Sequence, residues 1–423
     1  MLPFTAMNEP QRLRRSEPEA HLAPASSPPP EDSSQAISAP RRIKSIDVLR
    51  GVAVLMVLLN HLEPVTVPGL PEPSGPWGFV YWKVKQFGWT GVDLFFVLSG
   101  FLISGLLFSE LRKHNTLDCV SFWLRRGFKI WPSYLVLLLV LGVTGATGYI
   151  QGSTWDTKLT SLLAHLLFFQ NYLDKNPNGP TWSLAVEEHF YLILPVLLLG
   201  LTVWTRRRSD DWGRWMGRVT WVFLTGCLAA RLARVATGLR PDDFMQTHFR
   251  LDSLMVGVYC QYLWLYRRST VDKLLAWPKA SLCLSLLLLS PALVLSRGQA
   301  AMFTFGFLGL SVAYAILLFL LVGGVFSRLE RTFPATCLAR IGTWSYNIYL
   351  WHFFMASLNL AFFTGLNRAL AEGVAHQGLR FVLQTLIYVG YAIAVGAIAT
   401  RWIEMPFLRL RERFFPPRLA PRT

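Results

Sequence analysis

Between residues 45 and 402 the sequence is a succession of apolar runs. Several approach or exceed the roughly 18 residues a helix needs to cross a bilayer. This predicts an all-α, polytopic membrane helical bundle. Only 16% of the 423 residues are charged and 52% are hydrophobic, whereas soluble domains carry about 25% charged residues. The 16 Trp and 29 Phe suit aromatic belts and a lipid-facing surface.

The net charge of +16 would also suit a nucleic-acid binder. Lys and Arg, however, gather in short loops at the ends of apolar runs, which is the positive-inside pattern. No nucleic-acid partner is expected. Of the five Cys, Cys119 lies in a basic loop, and Cys227, Cys260, Cys283 and Cys337 lie in or beside apolar runs. No C-x-x-C spacing occurs, so neither a disulfide nor a metal site is expected.

The same bias sets the topology. Residues 1–42 are rich in Pro, Ser, Glu and Arg and lack the apolar core of a signal peptide. They read as a disordered cytoplasmic tail. Arg41, Arg42 and Lys44 place the start of the first span, 45–62, inside. The Pro- and Gly-rich stretch from Glu63 to Gln86 reads as an outer loop. Spans follow at 88–111 and 130–149, with Arg112, Lys113, Arg125, Arg126 and Lys129 between them on the inside. The segment Leu159–Tyr172 is short for a span. If it crossed, span 182–204 would deliver Arg206, Arg207 and Arg208 to the outside. It therefore reads as re-entrant or interfacial. Spans at 216–238, 250–266, 279–296, 301–326, 341–363 and 379–402 complete a count of about ten. Both termini are then cytoplasmic, with a membrane domain over 43–410 and a short basic tail over 411–423. No repeat of fixed period and no inverted symmetry of the transporter kind is evident.

Ionisable residues inside apolar runs are candidates for function. In SIDVLRGVAVLMVLLNHL, Arg50 and His61 stand eleven residues apart, roughly 16 Å along a helix. The alternative is that Arg50 snorkels to headgroups while His61 sits at the opposite interface. In GWTGVDLFFVLSGFLIS, helix packing accounts for Gly100 and Ser104 but not for Asp93, and Ser99 lies between. FWLRRGFKIWPSYL holds Arg125, Arg126 and Lys129, which read either as topological anchors or as a polyphosphate site. TWSLAVEEHFYLILP opens a helix with Glu187 and Glu188, followed by His189 and Tyr191. One carboxylate could serve the helix dipole; two and a His exceed that need. Arg231 and Arg234 precede FRLDSLMVG, where Arg250 and Asp252 are either functional charges or a structural ion pair. IGTWSYNIYLWHFF sets Tyr346, Tyr349 and His352 in a stripe, either interfacial packing or part of a site. In RWIEMPFLR, Glu404 and Pro406 are expected to stop the last span.

Taken together, these stretches resemble the acyltransferase-3 family, the membrane-bound carbohydrate O-acyltransferases. The resemblance covers about residues 43–410. It is carried by Arg50 with His61, GVDLFFVLSGFLIS, RRGFKIWP, TWSLAVEEHFY, RLDSLMVG, SYNIYLWH and IEMPF, in the family's order. It implies ten membrane helices and transfer of an acyl group, usually acetyl from cytoplasmic acetyl-CoA, to a hydroxyl of a sugar or glycolipid. Arg50 and His61 match the family's essential pair, and Arg126 with Lys129 its basic pair. Lys129 stands where the family usually has Arg, which keeps the charge but loses bidentate geometry. His189 stands where Gln is common, and Phe354 where Pro is common. The extra extracytoplasmic esterase-like domain of some members is not found, so a second transfer step in the same polypeptide is not expected.

The resemblance implies roles. Arg126, Lys129 and Arg125 would hold the phosphates of acyl-CoA, a co-substrate rather than a bound cofactor. Arg50 would line the pantetheine path. His61 would take the proton of the acceptor hydroxyl, its ordinary pKa of about 6.5 suiting that work. Asp93 or Glu187 would orient the other ring nitrogen. Ser99, Glu188, Arg250, Asp252, Tyr346, Tyr349, His352 and Glu404 are further candidates. The expected location is the bacterial inner membrane. The rival class is a sugar or lipid transporter, which favours broken midplane helices and internal symmetry. A third reading, a non-catalytic scaffold, would not need His61, Asp93, Glu187 and Arg250 inside the bilayer.

Overall fold

The computed structural model describes residues 44–62, 75–146, 159–173, 180–208, 212–238, 243–358, 360–374 and 376–415. The expected N-terminal tail, residues 63–74 of the expected outer loop and residues 416–423 lie outside this set. All regular structure among the described residues is helical. Such a chain satisfies its backbone polar groups within each helix, as lipid requires.

In chain order the helices begin with α1 (Lys44–Asn60), α2 (Gly75–Gly88), α3 (Gly91–His114), α4 (Cys119–Ala146) and α5 (Leu159–Leu166). Next come α6 (Thr181–Arg208), α7 (Trp212–Ala236), α8 (Leu251–Tyr266), α9 (Arg268–Ala276), α10 (Pro278–Leu289) and α11 (Phe307–Val322). The last are α12 (Ser327–Glu330), α13 (Phe333–Leu358), α14 (Leu360–Gly373), α15 (Gln377–Ala399) and α16 (Met405–Phe414). Single π-helical segments, Met302–Gly306 and Thr400–Glu404, lead into α11 and α16. Among the described residues, six helices are long and apolar enough to cross a membrane: Gly75–His114, Cys119–Thr144, Thr181–Arg208, Trp212–Ala236, Met302–Val322 and Gly378–Phe414. The pair Arg268–Ala276 and Pro278–Leu293 passes the same test only together and is bent by 92°, as a broken span or a re-entrant loop would be. On α4, exposed Trp131, Leu135, Leu139 and Val143 repeat every four residues, a single stripe suited to lipid.

Two glycine contacts bring the central helices close. A Cβ on Gly51 of α1 would overlap the Leu338 carbonyl of α13, and one on Gly342 would overlap that of Asp47. Gly100 of α3 and Gly257 of α8 meet the carbonyls of Leu254 and Val97 in the same way. Small residues allow this approach where lipid offers no hydrophobic driving force between helices. The packing reading of Gly100 therefore holds, and α1, α3, α8 and α13 form the centre of the bundle.

The structure corrects several expectations. The outer loop ends earlier than expected, because α2 begins at Gly75. Pro76 sits in its first turn, where a missing N–H is harmless. Leu159–Tyr172 contains one eight-residue helix, about 12 Å long, followed by a turn in which Phe168 has φ 60°. That helix alone is too short to cross. Glu404 and Pro406 do not stop the last helix. The backbone widens into a π turn, with the Met405 N–H bonded to the Thr400 carbonyl, and α16 continues to Phe414. The expected boundary after residue 410 thus falls within a helix.

Arg250 and Asp252 do not pair with each other. Arg250 Nη2 donates to Asp93 Oδ1 at 2.7 Å, and Arg231 Nη2 to Asp252 Oδ2 at 2.6 Å. Residues two apart at a helix start point in different directions, so each finds its partner on a neighbouring helix. All four side chains are buried. Arg234 pairs with Asp243 at 2.7 Å.

Candidate active site

A cavity opens between α1, α3, α4, α6 and α13. Its wall gathers Arg50 from α1, Ser99 from α3, Arg126 and Lys129 from α4, Glu187 from α6, and Tyr346 and Tyr349 from α13. These seven expected residues come from five separate parts of the sequence. Apolar side chains such as Phe95, Phe96, Leu102 and Ile103 fill the remaining wall. Such a mixture, mostly apolar with a few convergent polar groups, is typical of a ligand site.

Spacing on α6 explains its contribution. Ser183, Glu187 and Tyr191 recur every four residues and so share one face. Tyr191 Oη donates to Glu187 Oε2 at 2.7 Å, which leaves Ser99 Oγ to donate to Tyr191 Oη at 2.6 Å. Ser183 Oγ and Tyr349 Oη lie 2.6 Å apart, and both reach the Pro180 carbonyl. Ser183 was not expected, and Tyr191 was named beside Glu187, Glu188 and His189 without a role, although the four-residue spacing links Ser183, Glu187 and Tyr191. Glu188 faces elsewhere, accepting from Trp131 Nε1 at 3.2 Å.

The cations differ in their partners. Lys129 forms an ion pair with Glu404 Oε1. Glu404 Oε2 also accepts from Asn347 Nδ2 at 2.6 Å, and Asn347 Oδ1 accepts from Ser133 Oγ at 2.5 Å. The π turn thus feeds a buried carboxylate into a network that fixes Lys129 and α13. Asn347 was not anticipated. Tyr346 Oη donates to the Ile130 carbonyl at 2.6 Å. Arg50 and Arg126, by contrast, have no ion pair or hydrogen bond among the described residues. Arg126 stacks over Phe122 at 5.8 Å, and both guanidinium groups attract Glu187. Two guanidinium groups facing the single carboxylate of Glu187 in a low-dielectric cavity favour an anionic ligand. Arg125 does not line the cavity.

His61 stands outside the cavity wall, against His352 with ring centroids 5.0 Å apart. Nδ1 of His61 bonds the Val57 carbonyl at 2.9 Å, and Nδ1 of His352 bonds the Tyr349 carbonyl at 2.7 Å. A carbonyl only accepts, so these bonds place the proton on each Nδ1 and the lone pair on each Nε2. His352 is 1% exposed, and its Nε2 has no partner among the described residues. The Tyr349 ring, 5.9 Å from that of His352, belongs to the cavity wall and links the two compartments. The expected orienting carboxylates are engaged elsewhere: Asp93 with Arg250, Glu187 with Tyr191. A backbone carbonyl holds the His61 tautomer instead. Of the Tyr346, Tyr349, His352 stripe, Tyr346 and Tyr349 line the cavity, and His352 packs outside it against His61.

Similarity to known proteins agrees with this arrangement. The acyltransferase-3 family model, described as an acyltransferase domain, matches residues 43–401. A Staphylococcus aureus (strain COL) protein, provisionally named an O-acetyltransferase, is 26% identical over 386 residues, 87% of this chain and 57% of its own length. Peptidoglycan O-acetyltransferase OatA of Listeria monocytogenes is 26% identical over 74% of this chain and 49% of its own. O-acetyltransferase OatA of S. aureus (strain NCTC 8325 / PS 47) is 24% identical over 74% of this chain and 51% of its own. The chain thus spans about half the length of these relatives. No solved structure matches. With the family model covering most of its length, the chain belongs to the acyltransferase-3 family.

Proposed function

We propose that the chain is an integral membrane O-acetyltransferase. It moves an acetyl group from cytoplasmic acetyl-CoA to a hydroxyl of a sugar, glycolipid or surface polysaccharide. The observation that carries this reading is the cavity itself. It presents Arg50 and Arg126 for phosphate and leads, past Tyr349, to two histidines whose Nδ1 atoms each bond a backbone carbonyl. The relative named for peptidoglycan O-acetylation supports a carbohydrate of the cell envelope as acceptor.

In this reading Arg126 and Arg50 hold the donor, with Lys129 adding charge tempered by Glu404. His61 Nε2 takes the proton as the acceptor oxygen attacks the thioester carbonyl. The C–S bond breaks, and the thiolate of CoA leaves. His352, ring against ring with His61, offers a second acceptor nitrogen for the same hydroxyl. A positioned base of this kind contributes about 10²–10⁴-fold. The transporter reading asks for broken helices in the transport path, but the bent pair α9–α10 contributes nothing to the cavity wall.

Mass spectrometry of surface glycans from a deletion strain beside its parent tests the function. Loss of O-acetyl groups from one glycan is expected, and an unchanged glycan profile overturns the reading.

The same reading sets ten spans in a bacterial inner membrane, both termini cytoplasmic, with α5 not crossing. The short α1 and α8, 17 and 16 residues long, are then spans at the crowded centre of the bundle. Cysteine labelling checks this. Ser209→Cys should resist a membrane-impermeant reagent in intact cells, while Asn178→Cys should react. The opposite pattern overturns the topology.

Arg126→Ala should raise the KM for acetyl-CoA by about ten- to a hundred-fold, the effect of losing a charged hydrogen bond. The KM for the acceptor should change little. An unaltered donor KM would reduce Arg126 to a topological anchor.

A further inference from the structure

Among the described residues, three serines line the cavity: Ser99, Ser183 and Ser345. Ser99 is bonded to Tyr191, and Ser183 to Tyr349 and the Pro180 carbonyl. Ser345, on α13, has no role in the site as described above. Its side chain is fully buried, and its Oγ has no hydrogen-bond partner among the described residues. A hydroxyl on a helix has a ready partner in the carbonyl three or four residues earlier. Ser104, Thr202 and Thr220 all take that bond. Ser345 does not. It stands four residues before Tyr349, on the helix face that both turn to the cavity.

Depth along α13 decides what would pass this hydroxyl. The next two residues reach the segment that carries the cations. Tyr346 Oη bonds the Ile130 carbonyl of α4, and Asn347 bonds Glu404, the partner of Lys129. Ser345 therefore lies close to the depth of Lys129. His352 is seven residues farther on, about 10 Å along the helix axis. With phosphates at the cations and the thioester at the histidines, the part of the donor beside Ser345 is the arm between them. In acyl-CoA that arm is pantetheine, whose amides each carry a carbonyl acceptor. A buried hydroxyl left unpaired is costly, and an amide carbonyl is a neutral acceptor that relieves it.

We propose that Ser345 binds the pantetheine arm of acyl-CoA, its Oγ donating to an amide carbonyl. The proposal rests on the acyl-CoA reading above. Through Ser345 the cavity recognises the arm as well as the phosphates. A nucleotide that carries phosphate but no amide at this depth gains nothing from the hydroxyl. A neutral hydrogen bond suits the passage, because it holds the arm in register less tightly than a charged one would.

The test uses the full chain in nanodiscs of phosphatidylcholine, with coenzyme A and adenosine 3′,5′-bisphosphate as probes. The second carries phosphates but no arm. Ser345→Ala should weaken coenzyme A binding by about three- to ten-fold, the effect of one neutral hydrogen bond, and leave bisphosphate binding unchanged. Without ligand the variant should melt no earlier than the parent, because an unpaired hydroxyl gives the fold nothing that a methyl lacks. Ser345→Cys, close in size but a weak donor, carries the same comparison should the alanine variant fail to accumulate. Equal coenzyme A affinity in parent and variant overturns the assignment. So does an equal loss for both probes or an earlier melting of the ligand-free variant, either of which marks a hydroxyl that serves the fold. A parent that binds no coenzyme A overturns the donor reading itself, a result distinct from failure of Ser345 alone.

Discussion

His61→Ala should abolish acetyl transfer while the protein still inserts and accumulates. The ring packs against His352 and Phe353 at the edge of the bundle rather than filling its centre, so its removal leaves the α1–α13 and α3–α8 contacts intact. The chemical loss should be at least of the order of 10²–10⁴-fold, the contribution of a positioned base. Arg50→Ala should inactivate as well, but by a different route. Arg50 lies on the same helix, roughly 16 Å away, and lines the cavity that His61 does not. Acetyl-CoA binding to nanodisc-embedded protein separates the two. His61→Ala should bind donor as the parent does, and Arg50→Ala should bind it poorly. A His61→Ala protein with near-parental transfer would remove His61 from the mechanism. Substrate movement that needs no acetyl-CoA would favour transport instead.

The sequence made the class of fold plain because lipid imposes a strong rule: long apolar runs must be helices. It also marked many of the polar groups in the cavity wall, since Arg50, Arg126, Glu187 and Tyr349 are polar groups in apolar surroundings and stand out for that reason. Pairings were not legible. Arg250 and Asp252 look like partners in RLDS, yet each reaches across to another helix, and nothing local specifies which one. Pro76 and Pro406 misled in opposite places for one physical reason. Proline breaks a helix only where its N–H is needed, and neither the first turn of α2 nor the turn after a π segment needs it.

Asp93→Ala should destabilise the folded protein severely. It leaves Arg250, 1% exposed, without its carboxylate. The guanidinium would then rest only on the rings of Phe307 at 3.9 Å and Phe96 at 5.4 Å. Breaking a buried ion pair from one side costs about 3–5 kcal/mol, because an uncompensated charge remains in a low-dielectric interior. The variant should accumulate poorly and unfold at lower temperature in detergent. Replacing both partners is different, since a well-packed apolar pair is often no less stable than a buried ion pair. Asp93→Leu combined with Arg250→Met should therefore recover much of the lost stability, with Arg231 and Asp252 still paired beside it. Activity in that double variant decides what Asp93 does. Here Asp93 braces α3 against α8, so a refolded double variant should transfer acetyl groups. If Asp93 instead oriented His61, the double variant would fold and remain inactive, and the carboxylate would belong to the catalytic machinery after all.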